Sequence, residues 1–345
     1  MDNNERDKGY KTQEDLINEL KALDPNFTPT NVVSLNANGQ IDVEKLTVIK
    51  FSELQAIEPP PIEYVLSPVL PIQGLAFVYA ATGIGKTLFT LNLAYAIAGG
   101  GNFLKYSCPK PRRVLYVDGE MAFNQIHSRI IQISKHQGDL FFPDNFHLIT
   151  PDKILPFRVP QIDDTCGQEA YNKILELHNI EVVVFDNLSM LSSIDENKSN
   201  EWKRVQDWLL YLRSIGKSII VVHHAGKDKN GYRGTSKMLD CADVAISLQP
   251  CSDEALEEND IKGKKFKIVY QKARLFGGKE ALSYEANLEA GIWSHRSIEL
   301  SILDRVIESL NAGMSQREMA KELFISQSTV NRLIKKARLT GRVKS

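Results

Sequence analysis

The chain has 345 residues, 43% of them apolar and 25% charged, with a formal net charge of −1 at pH 7. That composition fits a soluble globular protein of about two domains and excludes collagenous and largely disordered classes. A core of this size needs no disulfide or metal staple, and Cys108, Cys166, Cys241 and Cys251 show none of the paired short spacings of a zinc site or a disulfide framework. The N-terminal MDNNERDKGYK carries charges with no apolar segment behind it, so no signal peptide is expected. The longest apolar stretch, residues 88–98, is too short to span a bilayer. A cytoplasmic protein without a membrane partner is the expectation.

Residues 1–45 read as a polar N-terminal segment. TQEDLINELKAL sets Leu16, Ile17, Leu20 and Leu23 on one helical face, with Thr12 and Asp15 as a capping box, before Pro25 and Pro29 stop the helix. Pro59, Pro60 and Pro61 form a stiff bend ahead of the first strong strand. Across residues 46–296, β-rich apolar runs alternate with helical patterns. Strands are expected over 75–79, 113–118, 146–150, 181–186, 218–224, 242–248 and 266–272, with helices such as LFTLNLAYAIA and NEWKRVQDWLLYLRSIG between the earlier ones. Apolar strands without polar alternation, separated by helices, indicate a parallel sheet covered on both faces. Late strands that follow one another closely suggest an antiparallel extension. The expected fold class is therefore α/β, a mostly parallel sheet flanked by helices, with a small all-α domain over 297–345.

AATGIGKT follows the first strong strand and opens a helix. It departs from G-x-x-x-x-G-K-[ST] only in Ala80 at the first position. Across Ala81, Thr82, Gly83, Ile84, Gly85, Lys86 and Thr87 the glycines let backbone N–H groups face phosphates at the helix N-terminus. Lys86 would reach the β and γ phosphates and Thr87 would ligate Mg²⁺, which makes ATP and Mg²⁺ the expected ligands. EVVVFDN ends an apolar strand in Asp186, where a carboxylate can hold the magnesium shell. In the common arrangement the base follows this Asp directly. Here Asn187 stands in that place, so the base comes from elsewhere. Glu120, in RVLYVDGEM at the tip of another strand, is the candidate to activate water, with Asp118 a turn acid. SIIVVHHAGKD brings two histidines to a strand end, and alternation puts them on opposite faces. His224, the last before the loop, is the expected γ-phosphate sensor.

These motifs resemble the RecA-like ATPases, and within them the RepA-type plasmid replication helicases of the wider DnaB and KaiC group. The likeness runs over about residues 60–295, through YVLSPVLPIQGLAFVYAATGIGKT, AIAGGGNFL, VLYVDGEM, VVVFDNL, IVVHHAGK, YRGTSKMLDCADV and IVYQKARLFGG. The phosphate loop is generic; the combination of Glu120, HHAGK and RGTS is more specific. The resemblance implies a RecA-like sheet and a ring, usually a hexamer, with ATP between subunits and single-stranded DNA through the centre. It also implies that Lys272 and Arg274 of KARLFGG enter the neighbour's ATP site, with Arg233 of GYRGTS a competing arginine finger. Lys227, Lys229 and Lys237 lie in or beside the same loop, and Lys227 is a candidate DNA contact.

From residue 297 onward nine Lys or Arg stand against five Asp or Glu, a net of +4 that leaves −5 for the rest. MSQREMAKELFISQSTVNRLIKKAR has helix–turn–helix spacing. Ser315 and Glu318 form a capping box for the first helix, whose Met319, Ala320 and Leu323 face inward. Phe324 and Ile325 make the turn, where glycine is more usual at the first position. Ser326 caps a second helix in which Val330, Leu333 and Ile334 pack back. Gln327, Ser328, Asn331 and Arg332 face outward at the end that reaches base edges, and Lys335 and Lys336 continue as phosphate contacts. Upstream, ELSILDRVIESL would complete a three-helix bundle. It resembles the winged or tri-helical domains of many DNA-binding proteins, although such a fold also serves as a protein-docking module. The expected function is a ring-forming replicative DNA helicase of a plasmid, phage or mobile element. The alternatives are an ATP-switched initiator or regulator that does not unwind, or a RadA- or KaiC-like ATPase. A separate primase or initiator partner stays open.

Overall fold

A computed structural model describes residues 48–138, 142–194, 199–224, 237–251 and 263–343. The described residues fall into two units divided between Pro61 and Ile62. In the first, α1 (Phe51–Ala56) is a short exposed helix whose start is closed by the Lys50 N–H donating to Glu53 at 3.0 Å. The helix expected over TQEDLINELKAL lies outside the described residues, as do Lys227, Lys229, Arg233 and the side chain of Lys237.

The second unit begins with a hairpin of β1 (Tyr64–Leu66) and β2 (Leu70–Pro71), followed by β3 (Leu75–Ala80), which is buried along its whole length. The helix α2 (Lys86–Gly99) is buried on nearly every side, which is why its sequence is apolar all round instead of striped. A second small hairpin, β4 (Asn102–Phe103) and β5 (Tyr106–Ser107), leads to β6 (Val114–Asp118). Then come α3 (Phe123–Gln137), β7 (Phe146–Ile149), α4 (Thr165–Leu177), β8 (Val182–Asp186), the single turn α5 (Leu188–Leu191) and α6 (Ser199–Ser214). After β9 (Ser218–His224) and the short α7 (Lys237–Asp240) follow β10 (Val244–Pro250), β11 (Gly263–Ala273), β12 (Tyr284–Glu289) and β13 (Ile292–Ser297).

Nine of these strands form one sheet in the order β13-β12-β11-β10-β3-β9-β8-β6-β7. From β10 to β7 all neighbours are parallel, while β11, β12 and β13 extend the sheet antiparallel. The expected mixed α/β architecture is therefore present. Successive residues of β3 point to opposite faces and enter two cores. Ala76 and Val78 join Phe89, Leu93 and Ile97 of α2. Leu75 and Phe77 join Trp202, Val205 and Leu209 of α6 and Tyr171 of α4. At the amino edge of the sheet the buried Asp243 accepts from the Leu75 N–H at 2.9 Å and pairs with Arg213 at 3.0 Å, which fixes β3 against the start of β10.

Two strands of this sheet, β12 and β13, escape the sequence pattern, as do the small hairpins β1–β2 and β4–β5. β12 and β13 both carry mixed polar side chains, β13 because much of it is exposed, and their identity rests on pairing, β12 with β11 and β13 with β12. Trp293 of β13 then closes an aromatic cluster, with its ring 5.4 Å from Phe103 and 5.7 Å from Phe266. Strand β13 runs directly into α8 (Ile298–Asn311), which is followed by α9 (Gln316–Glu322) and α10 (Gln327–Leu339). Leu303, Val306, Met319, Leu323, Val330, Leu333 and Ile334 make a separate three-helix core. Arg296 joins this core to the sheet, donating to Glu285 of β12 at 3.1 Å and to Asp304 of α8 at 3.0 Å.

Cysteine reactivity tests this packing. Burial pushes the Cys108 thiol up to about 12 and the Cys241 thiol to about 11, whereas Cys166 is exposed. Because the thiolate is the reacting form, iodoacetamide at about pH 8 is expected to label Cys166 in the native protein, and Cys108 and Cys241 only after unfolding. Equal native labelling of Cys108 and Cys166 would contradict the fold.

Candidate nucleotide site and nucleic-acid interface

Between β3 and α2 the backbone turns through Gly83 at φ 82° and Gly85 at φ 112°. Both lie in the left-handed region that favours glycine. No side chain caps α2, and the first N–H groups of a helix have no partners within it, so the loop ends at a positive dipole that suits an anion. Lys86, buried at 7% exposure, folds its ammonium back over this loop. It donates to the carbonyls of Ala80 at 3.0 Å and Ala81 at 3.1 Å, and His224 Nδ1 is 3.2 Å away. Burial lowers its pKa, and the neighbouring Asp186 and Glu120 carboxylates pull the other way.

Asp186 ends β8 directly across from Asp118 of β6. Its Oδ2 accepts from the Tyr116 hydroxyl at 2.6 Å, and Tyr116 shares a further bond of 2.9 Å with Thr90 of α2. The Thr87 hydroxyl also bonds Asp186. Burial raises the Asp186 pKa against the pull of those two bonds and of Lys86. A buried carboxylate short of positive charge, beside a threonine hydroxyl, is a hard-oxygen pair that fits Mg²⁺, with phosphate and water supplying its other ligands.

The two acids of VLYVDGEM separate. Asp118 turns back to accept from the Met121 N–H at 3.0 Å and the Thr150 hydroxyl at 3.2 Å, and burial raises its pKa to about 6. It closes the turn. Glu120 stands exposed at the tip, its Oε2 accepting from Asn187 Nδ2 at 2.9 Å. Of the histidine pair His223 is buried, while half-buried His224 sits beside Lys86. Lys86, Thr87, Asp186, Glu120 and His224 thus gather at the carboxyl edge of the sheet, where open α/β sheets bind ligands.

Lys272 and Arg274 do not join them. Strand β11 runs antiparallel to β10, with Phe266 opposite Pro250 and Ala273 opposite Val244. Lys272 and Arg274 therefore lie at the amino edge, a six-residue strand away from the loop, which is about 20 Å. Lys272 donates to the Asp240 carbonyl at 3.0 Å, and Arg274 to the same carbonyl at 3.2 Å. At the other end of β11, Lys264 reaches the Gly83 carbonyl at 3.3 Å. Sequence reasoning passed over Lys264, Tyr116 and Thr90, and noted Asn187 only as the residue displacing the base, without a role of its own. For Lys264 the only local signal is its place ahead of Phe266 in a lysine-rich strand start.

In the C-terminal helices the Ser315–Glu318 capping box forms, with bonds of 2.8 and 3.3 Å, and Ser326 caps α10. Gln327, Ser328, Asn331, Arg332 and Lys335 are exposed. Lys336 instead pairs with Glu299 of α8 at 3.1 Å, so its charge is partly spent within the bundle. A comparison with known families matches residues 42–230 to the AAA domain and residues 296–344 to a winged helix–turn–helix DNA-binding domain.

Phe324, in the turn of that module, has φ 51° and is 85% exposed. A left-handed backbone costs a non-glycine residue about 1–2 kcal/mol, while glycine loses about 0.5–1 kcal/mol in extra unfolded freedom. Phe324→Gly is therefore expected to stabilise the module by about 0.5–1 kcal/mol, read by thermal unfolding. A clear loss of stability would contradict this turn.

Proposed function

This chain belongs to the AAA-domain family, a nucleotide-hydrolysing ATPase joined to a DNA-binding winged helix–turn–helix, and we propose that it is a ring-forming DNA helicase serving replication of a plasmid, phage or mobile element. The observation that carries this reading is the position of Lys272 and Arg274 at the edge of the sheet opposite their own phosphate loop. Two cations there can complete an ATP site only in a second copy of the chain. The functional unit is then a ring, a hexamer in the form the RepA-type resemblance suggests, with single-stranded DNA through its centre.

Within each subunit Lys86 and the backbone from Ala81 to Thr87 hold the phosphates of ATP. Thr87 and Asp186 would hold Mg²⁺, which would supply positive charge to offset that of the phosphates. Glu120 orients the attacking water and takes its proton. His224, in contact with Lys86, senses whether a γ-phosphate is present. Arg274 reaches across to the neighbour's γ-phosphate, and Lys272 supports it. Arg233 competes for that role, and Lys227 for a DNA phosphate, on sequence alone. In α10 the exposed Gln327, Ser328, Asn331, Arg332 and Lys335 meet duplex DNA, with Lys336 contributing at the rim.

A second reading is favoured by one feature. Strand β13 enters α8 without a linker, and Arg296 clamps the two, which would suit an initiator whose duplex grip is set by ATP. Unwinding of a forked duplex separates the two. Strand displacement by the wild type but not by Lys86→Ala is the expected result. Hydrolysis stimulated by intact duplex without displacement would overturn the motor in favour of the switch.

Subunit mixing tests the trans site. Arg274→Ala is expected to lose about 10³-fold or more in turnover, as arginine fingers do. Doping it with Lys86→Ala subunits, which keep Arg274, should restore part of the activity. No restoration at any mixing ratio would argue against a finger supplied by the neighbour.

A further inference from the structure

Glu120 lies two residues beyond the end of β6, on an exposed turn, and a glutamate there has three torsions to fix. A base acts only when its oxygen lies within hydrogen-bond reach of the proton it removes, so something must hold the carboxylate. The structure supplies one candidate. Asn187, immediately after Asp186, is almost fully buried and donates its Nδ2 to Glu120 Oε2 at 2.9 Å.

The orientation of that amide is itself fixed. Asn187 is the N-cap of α5, and its Oδ1 accepts from the Ser189 hydroxyl at 2.6 Å and the Met190 N–H at 3.2 Å. An amide flip would set Nδ2 against the Met190 N–H and Oδ1 against the Glu120 carboxylate, so Nδ2 faces Glu120. The backbone holds the two turns together as well. The Gly119 N–H donates to the Asp186 carbonyl at 2.8 Å, and a Cβ at Gly119 would come within 2.9 Å of Met190 and Leu191. Only glycine lets the Glu120 turn approach α5 this closely. The turn carrying the base and the turn following the metal-site aspartate are one packed unit, with the Asn187 amide as its polar link.

We propose that Asn187 is a positioning residue for hydrolysis: it takes one oxygen of Glu120 and leaves the other free to face the attacking water. This rests on Glu120 as the base. It also accounts for the residue that stands where the common arrangement has the base itself. The position keeps a polar side chain, but the side chain is too short and too buried to meet water, and it holds the displaced base from behind.

Asn187→Ser separates positioning from structure. Serine is a good N-cap and can still accept from the Met190 N–H, but it is too short to reach Glu120 and adds no charge. In the full-length protein, kcat is expected to fall at least tenfold, part of the about 10²–10⁴ a base contributes. KM and the directly measured affinity for a fluorescent ATP analogue should stay within about twofold of wild type. Glu120→Gln should already be inactive, and adding Asn187→Ser to it should lower the residual rate no further, because the two act through one group. Asn187→Asp, which also caps, serves if the serine variant is poorly folded, and the same fall in kcat is expected. Wild-type kcat in both Asn187 variants with Glu120→Gln inactive would overturn the positioning role and leave the base standing. So would a parallel loss of nucleotide affinity, or a further loss in the Glu120→Gln background. Normal turnover in Glu120→Gln would overturn the base, and the positioning role with it.

Discussion

Strand register at the carboxyl edge of the sheet is the constraint on which the site depends. Asp118 pairs across from Asp186, and Ala80 across from His224. With Phe185 opposite Val221, those pairings end four parallel strands within two residues of one another, so that the loop after β3, the acids ending β6 and β8 and the last histidine of β9 meet at one edge. A slip of one residue in β9 would present His223 in place of His224, since alternate residues face opposite sides. The buried valines and isoleucines of β8 and β9 make that slip costly, because it would exchange residues between the two cores. Hydrophobic pattern thereby sets the geometry of the polar site.

Burial also poises the site electrostatically. It lowers the pKa of Lys86 and raises that of Asp186. Each buried charge is therefore incompletely compensated, despite the Ala80 and Ala81 carbonyls around the ammonium and the Tyr116 and Thr87 hydroxyls around the carboxylate. A phosphate beside Lys86 and a divalent cation beside Asp186 would supply the missing charges of opposite sign. Paired burial of this kind would suit a cation–polyanion complex better than either ion alone. Asp118 shares the same edge without joining in. Two N–H groups and the Thr150 hydroxyl are turned toward it, and its duty is to shape the turn.

What was legible in the sequence was whatever a local pattern encodes. Gly83, Gly85, Lys86 and Thr87 are contiguous, so their loop can be read as a unit. The central strands are uniformly apolar because both faces are covered, and the C-terminal helices announce themselves through caps at Ser315 and Ser326. Contacts made by tertiary approach were not legible. Lys264 meets Gly83 across 181 positions and Asn187 meets Glu120 across 67. Tyr116 reads as one more apolar residue of a buried strand until Thr90 and Asp186 are seen at its hydroxyl. β12 and β13 fail the strand pattern because their polar side chains hide it, and β13, at the sheet edge, has a partner on one side only and solvent over much of its length. The narrower likeness to replication helicases rested on the same local motifs, and the family match over residues 42–230 is to the AAA domain.

The antiparallel extension links the functional parts. β11 begins with Lys264 on the carbonyl of Gly83 and ends beside Lys272 and Arg274 at the opposite edge. It pairs with β12, β12 pairs with β13, and β13 continues as the first helix of the DNA-binding module. A continuous hydrogen-bonded ladder therefore touches the loop at Gly83, Lys272 and Arg274 at the opposite edge, and the helices of the winged helix–turn–helix. The Arg296 clamp between Glu285 and Asp304 removes the loosest joint in that path, where a strand becomes a helix with no intervening loop. Under the proposed reading, motor and switch would both act through this ladder. They differ in which of its ends DNA moves: single strands acting near the ring centre would load it from the ATPase side, whereas a duplex held by α10 would load it through α8. The strands are common to both, which is why the identity of the stimulating DNA, and not a further feature of the sheet, separates the two readings.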